Sequence, residues 1–492
     1  MRARRTRVFS RGMNCLFLAF VFLAAVLNAA SWEEKYARVD DIFAEWNKPD
    51  SPGCALALVK DGKVIYKKGY GMANLEHEIP IRTDTVFRTG SIGKQFTAAC
   101  ILILQQRGKL SLDADIRTYL PEMPEYEWPV TIRHLIHHTS GIREYETLQA
   151  LGGELTDQGH HTNEDILELL TRQKGLDFRP GETHQYCNSG YTLLAVIIER
   201  VSGKTIGEFA KENIFDPLGM TKTFILEDNR VVVKNRAKGY GKIDGHFKVF
   251  ETLNESTGDG AVFTTVEDYF LWDQNFYQNK LECDDFAKNM LTVGRLNDGS
   301  DAIMSYGGYT FQYAFGLVRM NYRGLNAFGH GGSYVGFRAH FLQFPEQKTS
   351  IILMFNLANV NPTDISHKIA DVILEAHFTK PKGEPSAQES QKTEAAVQTP
   401  SIKNVDEYTG DYYSDEVPVT WKLRIQNGKL YFVQHNAPSE KPLLPQEKEV
   451  FSYWAIQIKF TRAPQGEVDG FMIVSSHLKG LVFKKLRGSS YK

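Results

Sequence analysis

From Ser91 to Gln106 the chain reads SIGKQFTAACILILQQ, with no turn-forming residue after Gly93 and apolar side chains on nearly every side. A helix without a polar face has no orientation in which it can lie on a surface, so this one belongs in the interior, with Gly108 as its stop. Its head carries Ser91 and Lys94, and burying the helix takes a hydroxyl and an amine into the same core. Three residues apart, the two share one helical face, with the hydroxyl near the positive N-terminal end. Such a pair suits attack on a carbonyl. An alcohol is a weak nucleophile, and a lysine can serve as its base if burial and neighbouring cations hold the amine below its free pKa of about 10.4. The alternative is an ordinary helix start, with Ser91 as a capping hydroxyl. The same S-x-x-K spacing recurs at Ser476–Lys479, in or near a strand, and at Ser489–Lys492, so neither repeat heads a buried helix.

The 492 residues exceed one ordinary core, and 42% hydrophobic with 24% charged residues is the composition of folded protein, so two domains are expected. Cys54–Val59 and Lys63–Tyr70 are strand-like runs joined by Asp61-Gly62, a hairpin signal. Residues 130–280 alternate helical stretches with long loops, among them Asn188–Val201, which ends at Ser202-Gly203. Thr264 to Glu267 reads as a capping box for the next helix. Residues 305–356 return to aromatic and β-branched strands, and Asp364–Phe378 is an amphipathic helix. The first domain, 31–379, is therefore expected as an α+β fold: a sheet built from both ends of the segment, flanked by helices, with a helical lobe between. Residues 380–403 lack aromatics and are rich in Pro, Ser, Gln, Glu and Lys, as a linker is. Beyond them, at 404–492, Trp421–Ile425, Lys429–Gln434, Phe451–Phe460, Gly470–Val474 and Gly480–Leu486 suit a small β-barrel or sandwich.

Residues 1–30 carry five arginines and no acid, then an apolar run from Cys15 to Leu27 and the small residues Ala29 and Ala30. This is the layout of a secretory signal, and the run is shorter than the ~20 residues of a spanning helix. The protein is expected to be exported, periplasmic or secreted, with no stable membrane span after processing. The net charge of −2 includes those arginines, so the rest is mildly acidic and offers no basic stripe for nucleic acid. Cys54, Cys100, Cys187 and Cys283 are expected as buried thiols, and no CxxC pair suggests zinc or redox chemistry.

Four stretches together resemble the superfamily of class C β-lactamases, D-alanyl-D-alanine carboxypeptidases, D-aminopeptidases, penicillin-binding proteins and related esterases. They are VFRTGSIGKQFTA around Ser91, TIRHLIHHTSGI at Thr131–Ile142, RPGETHQYCNSGYTLLAVIIERVSG ending at Gly203, and FGHGGSYVGF at Phe328–Phe337. The resemblance spans about residues 33–378 and implies a DD-peptidase/β-lactamase-like antiparallel sheet. It also implies an acyl-enzyme mechanism with Ser91 as nucleophile and Lys94 as its partner. Tyr186 and Asn188 match the Y-x-N motif, in which the tyrosine relays the proton and the asparagine holds the acyl side. His330-Gly331-Gly332 matches the third motif, on the strand lining the site. Backbone N–H groups of Ser91 and Ser333 would form the oxyanion hole, with Gly331 and Gly332 letting backbone approach substrate.

Class C β-lactamases usually have lysine where this chain has His330. The residue is thus expected to act as a conditional cation near pH ~6.5. Arg338 is a candidate second cation for substrate. His134, His137 and His138 have helix-like spacing but match a structural loop of the family, so no metal is implied, and no organic cofactor either. The expected function is serine hydrolysis of small-molecule or peptide amides or esters, of D-alanyl peptide type first. β-Lactamase or carboxylesterase activity within the same fold is the alternative, and a slowly acylating or non-catalytic penicillin-binding sensor is the alternative of another class. Residues 31–379 are expected to retain acyl transfer without the C-terminal β domain.

Overall fold

The computed structural model describes residues 32–152, 159–281, 283–306, 308–382, 404–434, 437–438, 441–453, 456–475 and 478–486. The expected signal, at 1–30, and all but the edge of the expected linker lie outside them. The hairpin expected at Asp61-Gly62 is present: Cys54–Lys60 pairs antiparallel with Lys63–Tyr70, and both turn residues take positive φ. Cys54–Lys60 also pairs with Thr349–Phe355, so the two ends of the segment meet side by side in one sheet, next to its edge strand Lys63–Tyr70. Eight antiparallel strands make up that sheet.

Side chains alternate across Cys54–Lys60 as strand geometry requires. Cys54, Leu56 and Leu58 join a cluster with Val39 and Phe43 of the first helical segment and with Ile365 and Ile369 of the helix Pro362–Ile373. Ala55, Ala57 and Val59 face the other way, into the cluster of the helices Lys94–Gln106 and Val266–Gln278. Both faces of the strand are covered, which is why it reads as an unbroken apolar run.

The all-round apolar helix is interior. A 3-10 turn, Gly90–Gly93, leads into Lys94–Gln106, and Lys94 to Leu104 are all buried. Phe96 packs against Phe215, Tyr269 and Trp272. The helix Asn188–Ser202 ends on Gly203 at φ 70°, as the sequence indicates. The capping box expected from Thr264 to Glu267 is absent, and a single cap stands one residue later, where Thr265 takes the Asp268 N–H. The Asp268 carboxylate accepts from the Lys222 N–H and the Thr223 hydroxyl, and Glu267 pairs with Lys67.

The C-terminal strands form a nine-stranded antiparallel sheet, curled into a nearly closed barrel. The expected single run Phe451–Phe460 is two strands, Val450–Tyr453 and Ile456–Arg462, paired with each other. Apolar packing is continuous from Leu148 and Leu151 of the helical lobe to Val417 and Trp421 of this sheet.

Cys54, Cys100, Cys187 and Cys283 are free, buried thiols. In protein from residue 32 onward, DTNB should find no reactive thiol in the native state and all four in denaturant, and a reductant should leave Tm unchanged. A Tm that falls on reduction would reveal a disulfide that this packing excludes.

Candidate active site

The buried helix brings Lys94 to the centre of the first domain with no solvent exposure. Its Nζ lies 3.2 Å from Ser91 Oγ, 2.8 Å from Asn188 Oδ1 and 2.7 Å from the Asp259 carbonyl oxygen. Burial lowers the Lys94 pKa, opposed in part by the charges of Asp259, Glu144 and Glu146. Asn188 Oδ1 and the Asp259 carbonyl can only accept, whereas the serine hydroxyl can donate. A neutral amine has two N–H groups and one lone pair. An ammonium can donate to all three oxygens, including Ser91 Oγ. The neutral form satisfies the cage as well, with its two N–H groups on the Asn188 and Asp259 acceptors and its lone pair facing Ser91.

Ser91 is partly exposed at the head of the otherwise buried helix, so the hydroxyl that meets the lysine also meets the cleft. The Tyr186 hydroxyl is a buried neighbour of Ser91 without a hydrogen bond of normal geometry among the described residues. Burial raises its pKa, as does the negative potential of Asp259, Glu144 and Glu146, so it remains a phenol. Lys94 Nζ also sits 5.0 Å from the centre of the Tyr186 ring.

The third motif lies on the strand Leu325–Tyr334. Backbone approaches backbone here: a Cβ on Gly332 would lie 1.9 Å from the Thr89 carbonyl oxygen, and one on Gly90, which has φ 56°, would lie 2.8 Å from Ser333 N. The turn bearing Ser91 is thus pressed against the strand at Ser333, where the oxyanion donors were expected. Gly331 has its open side towards His340 and Thr363 instead.

His330 is buried, and its role differs from expectation. Burial depresses its pKa to about 4, so it is neutral at ordinary pH and supplies no cation to a substrate. A hydrogen-bonded chain fixes its tautomer. His138 Nδ1 accepts from the Cys187 N–H at 3.1 Å, so His138 Nε2 carries the proton and donates to the Tyr313 hydroxyl at 2.9 Å. Tyr313 then donates to His330 Nε2 at 3.3 Å, leaving His330 Nδ1–H to the Gly331 carbonyl at 2.5 Å. This uncharged chain ties the Tyr186-Cys187-Asn188 segment to the third motif.

Arg338 Nη1 donates to the Val335 and Phe337 carbonyls, which holds the guanidinium against its own turn. The three clustered histidines do not converge, since His134 takes the Thr131 N–H, His137 meets the Arg133 and Thr292 carbonyls, and His138 meets Tyr313.

Three acidic residues were not anticipated. Glu144 accepts from the Asn188 N–H at 2.5 Å, and Glu146 Oε2 lies 3.5 Å from Asn188 Nδ2. Asp259 Oδ2 accepts from the Tyr145 hydroxyl at 3.0 Å. Packing raises the carboxyl pKa of Glu144 to about 8 and that of Glu146 to about 7, burial being the main cause. The site therefore has an acidic wall on the Asn188 side. A Glu-x-Glu pair one residue past the HHTSGI stretch was the available sequence signal.

The sheet, the helical lobe and the Ser91–Lys94 pair together define a fold of penicillin-binding, β-lactamase-like type. The chain belongs to the beta-lactamase family, which matches it over residues 39–375. A D-aminopeptidase of Gluconobacter oxydans (strain 621H) is 28% identical over 305 residues, 62% of this chain and 56% of that protein. The chain thus spans little more than half the length of that relative. Penicillin-binding protein 4* of Bacillus subtilis (strain 168) is 28% identical over 400 residues, 77% of this chain and 83% of that protein. Among solved structures, the octameric penicillin-binding protein homologue from Pyrococcus abyssi aligns at TM-score 0.61 and 22% identity, covering 92% of this chain and 99% of that one. D-amino acid amidase from Ochrobactrum anthropi SV3 aligns at 0.59 and 20%, covering 70% and 99%. The two structures share the fold with this chain.

Two outcomes follow from the geometry. Gly332→Ala should push the strand off the Ser91 turn and lower kcat/KM by roughly 10²–10³, the cost of losing an oxyanion donor, with circular dichroism unchanged. The pH profile of kcat/KM for an anionic over a neutral substrate should be the same in wild type and in His330→Gln between about pH 5 and 8, because His330 does not titrate there and any change of the ratio comes from Glu144 and Glu146. A profile that shifts in His330→Gln would show that it does.

Proposed function

We propose that the protein hydrolyses amides of D-amino acids that carry a free α-amino group, through an acyl-enzyme on Ser91. The observation that carries this reading is the acidic wall of Glu144, Glu146 and Asp259 beside Asn188, in a site whose third-motif histidine is neutral. A cationic acyl side is matched there, and a carboxylate on the leaving side meets no fixed charge. The D-aminopeptidase relatives support the same substrate class.

Lys94 Nζ takes the Ser91 proton as Oγ attacks the substrate carbonyl, and the developing oxyanion is met by the Ser91 and Ser333 N–H groups. The leaving nitrogen gains a proton from the Lys94–Tyr186 pair as the C–N bond breaks. A phenol with raised pKa serves as a relay, accepting one proton while passing on another, rather than as the resting base. Water, deprotonated by the same pair, then attacks the ester carbon. Ser91 Oγ leaves, recovers its proton and releases the amino acid.

The test compares D-alanine p-nitroanilide with its N-acetyl derivative and with the L-enantiomer. One charge-assisted contact is worth about 1.5–3 kcal/mol, so the free amine should be favoured roughly ten- to hundredfold in kcat/KM. Glu146→Gln should remove that preference and leave the N-acetyl compound unaffected. The preference should grow as pH rises through about 7, where the Glu146 carboxylate forms, and fall again above about 8, where the substrate amine loses its proton. Equal rates for the free and acetylated substrates would defeat the reading.

A further inference from the structure

The wall that faces the substrate amine is held from outside the first domain. Glu144 caps the helix Tyr145–Leu151, whose seven residues are too few to be stable alone. Its last carbonyl, that of Leu151, accepts the indole N–H of Trp421 from the C-terminal sheet at 2.8 Å. Just before it, the Arg143 guanidinium is almost wholly buried. Nη1 donates to Glu416 Oε2 at 2.7 Å and to Gln173 Oε1 at 2.9 Å, and Nη2 donates to the Lys479 carbonyl at 2.8 Å. Both members of the Arg143–Glu416 pair have side chains less than 5% exposed, at 2% and 4%. Glu416 Oε2 also accepts the Lys174 N–H at 2.7 Å, so the carboxylate is fixed from two directions.

These contacts lead directly to catalytic groups. The Arg143 carbonyl accepts from Ser189 Oγ at 2.7 Å, and Ser189 Oγ accepts from the Tyr145 N–H at 2.7 Å. Ser189 follows Asn188, the residue that holds Lys94. A second route starts at the Lys479 N–H, which donates to Asp177 Oδ1 at 2.8 Å, while Asp177 Oδ2 accepts from Gln185 Nε2 at 3.2 Å, next to Tyr186. Removing one partner of such a buried pair leaves the other charged and unsolvated, so Arg143 and Glu416 are held to one another.

We propose that the C-terminal β domain is part of the substrate site: Glu416 and Trp421, acting through Arg143 and the helix Tyr145–Leu151, are positioning residues that set Glu144 and Glu146 against Asn188. The effect on substrate choice rests on the amine reading above, whereas the bracing does not. It replaces the expectation that residues 31–379 work unaided, since that piece would lose both anchors of the wall while keeping Ser91, Lys94, Tyr186 and the strand at Ser333.

Full-length Glu416→Gln and Trp421→Phe test it. The phenylalanine keeps the ring among Phe432, Phe471 and Phe483 and removes only the N–H donor. In both, KM for D-alanine p-nitroanilide should rise about tenfold, the loss of one aligned charged contact, with p-nitrophenyl butyrate turnover within about threefold of wild type. Hydrogen exchange at residues 144–151 should quicken about tenfold while the strand Leu325–Tyr334 stays protected. Unchanged exchange at 144–151 in both variants overturns the bracing, and so does exchange that quickens throughout the first domain with both substrates losing rate in proportion. If wild type shows no preference for the free amine, the function reading fails, and the exchange measurement still decides the bracing.

Discussion

An amine with no access to water must find acceptors in the protein, and much of the first domain can be understood from how Lys94 finds them. Its three partners come from three places: the turn before its own helix, the first residue of the helix Asn188–Ser202, and a carbonyl in the Gly258-Asp259-Gly260 turn. Gly258 takes φ 92°, and a Cβ there would lie 2.3 Å from the Tyr191 carbonyl oxygen, so the turn can reach Lys94 only with glycine at that position. The amine shares the task of holding these segments together with Thr97, whose hydroxyl donates to the Gly258 carbonyl at 2.6 Å. Desolvation lowers its proton affinity, against the pull of Asp259, Glu144 and Glu146, and so favours the form whose lone pair can take the Ser91 proton.

Around that centre the charges are unevenly placed. Acidic groups gather on the Asn188 side, and the strand opposite carries an uncharged histidine whose hydrogen bonds run through Tyr313 to His138. The asymmetry bears on selectivity as much as on rate. With His330 neutral and Glu144, Glu146 and Asp259 on the Asn188 side, the proposed preference is for a cation on the acyl side.

The sequence disclosed what depends on local pattern. The all-round apolar helix, the Asp61-Gly62 hairpin, the sheet shared by both ends of the domain and the Gly203 stop follow from periodicity and turn chemistry. The Ser91, Lys94, Tyr186 and Asn188 cluster follows from motifs read in order. What escaped notice depends on distance or environment. Asp259 serves through its backbone, which no residue type announces. Glu144 and Glu146 read as surface charges until a second helix start comes to rest on them. Tyr313 acts across an intervening strand, and Arg143 meets Glu416 273 residues away. The charge state of His330 is set by burial, which a motif does not encode.

The central claim is that the buried lysine activates Ser91 to form a covalent acyl-enzyme. Mass spectrometry of protein quenched in acid during steady turnover of a p-nitrophenyl ester tests it most directly. The account predicts a gain equal to the acyl group, mapped to the peptide containing Ser91, and no such gain in Lys94→Ala. Turnover at full rate with no adduct on Ser91, or with the acyl group on another residue, would contradict it.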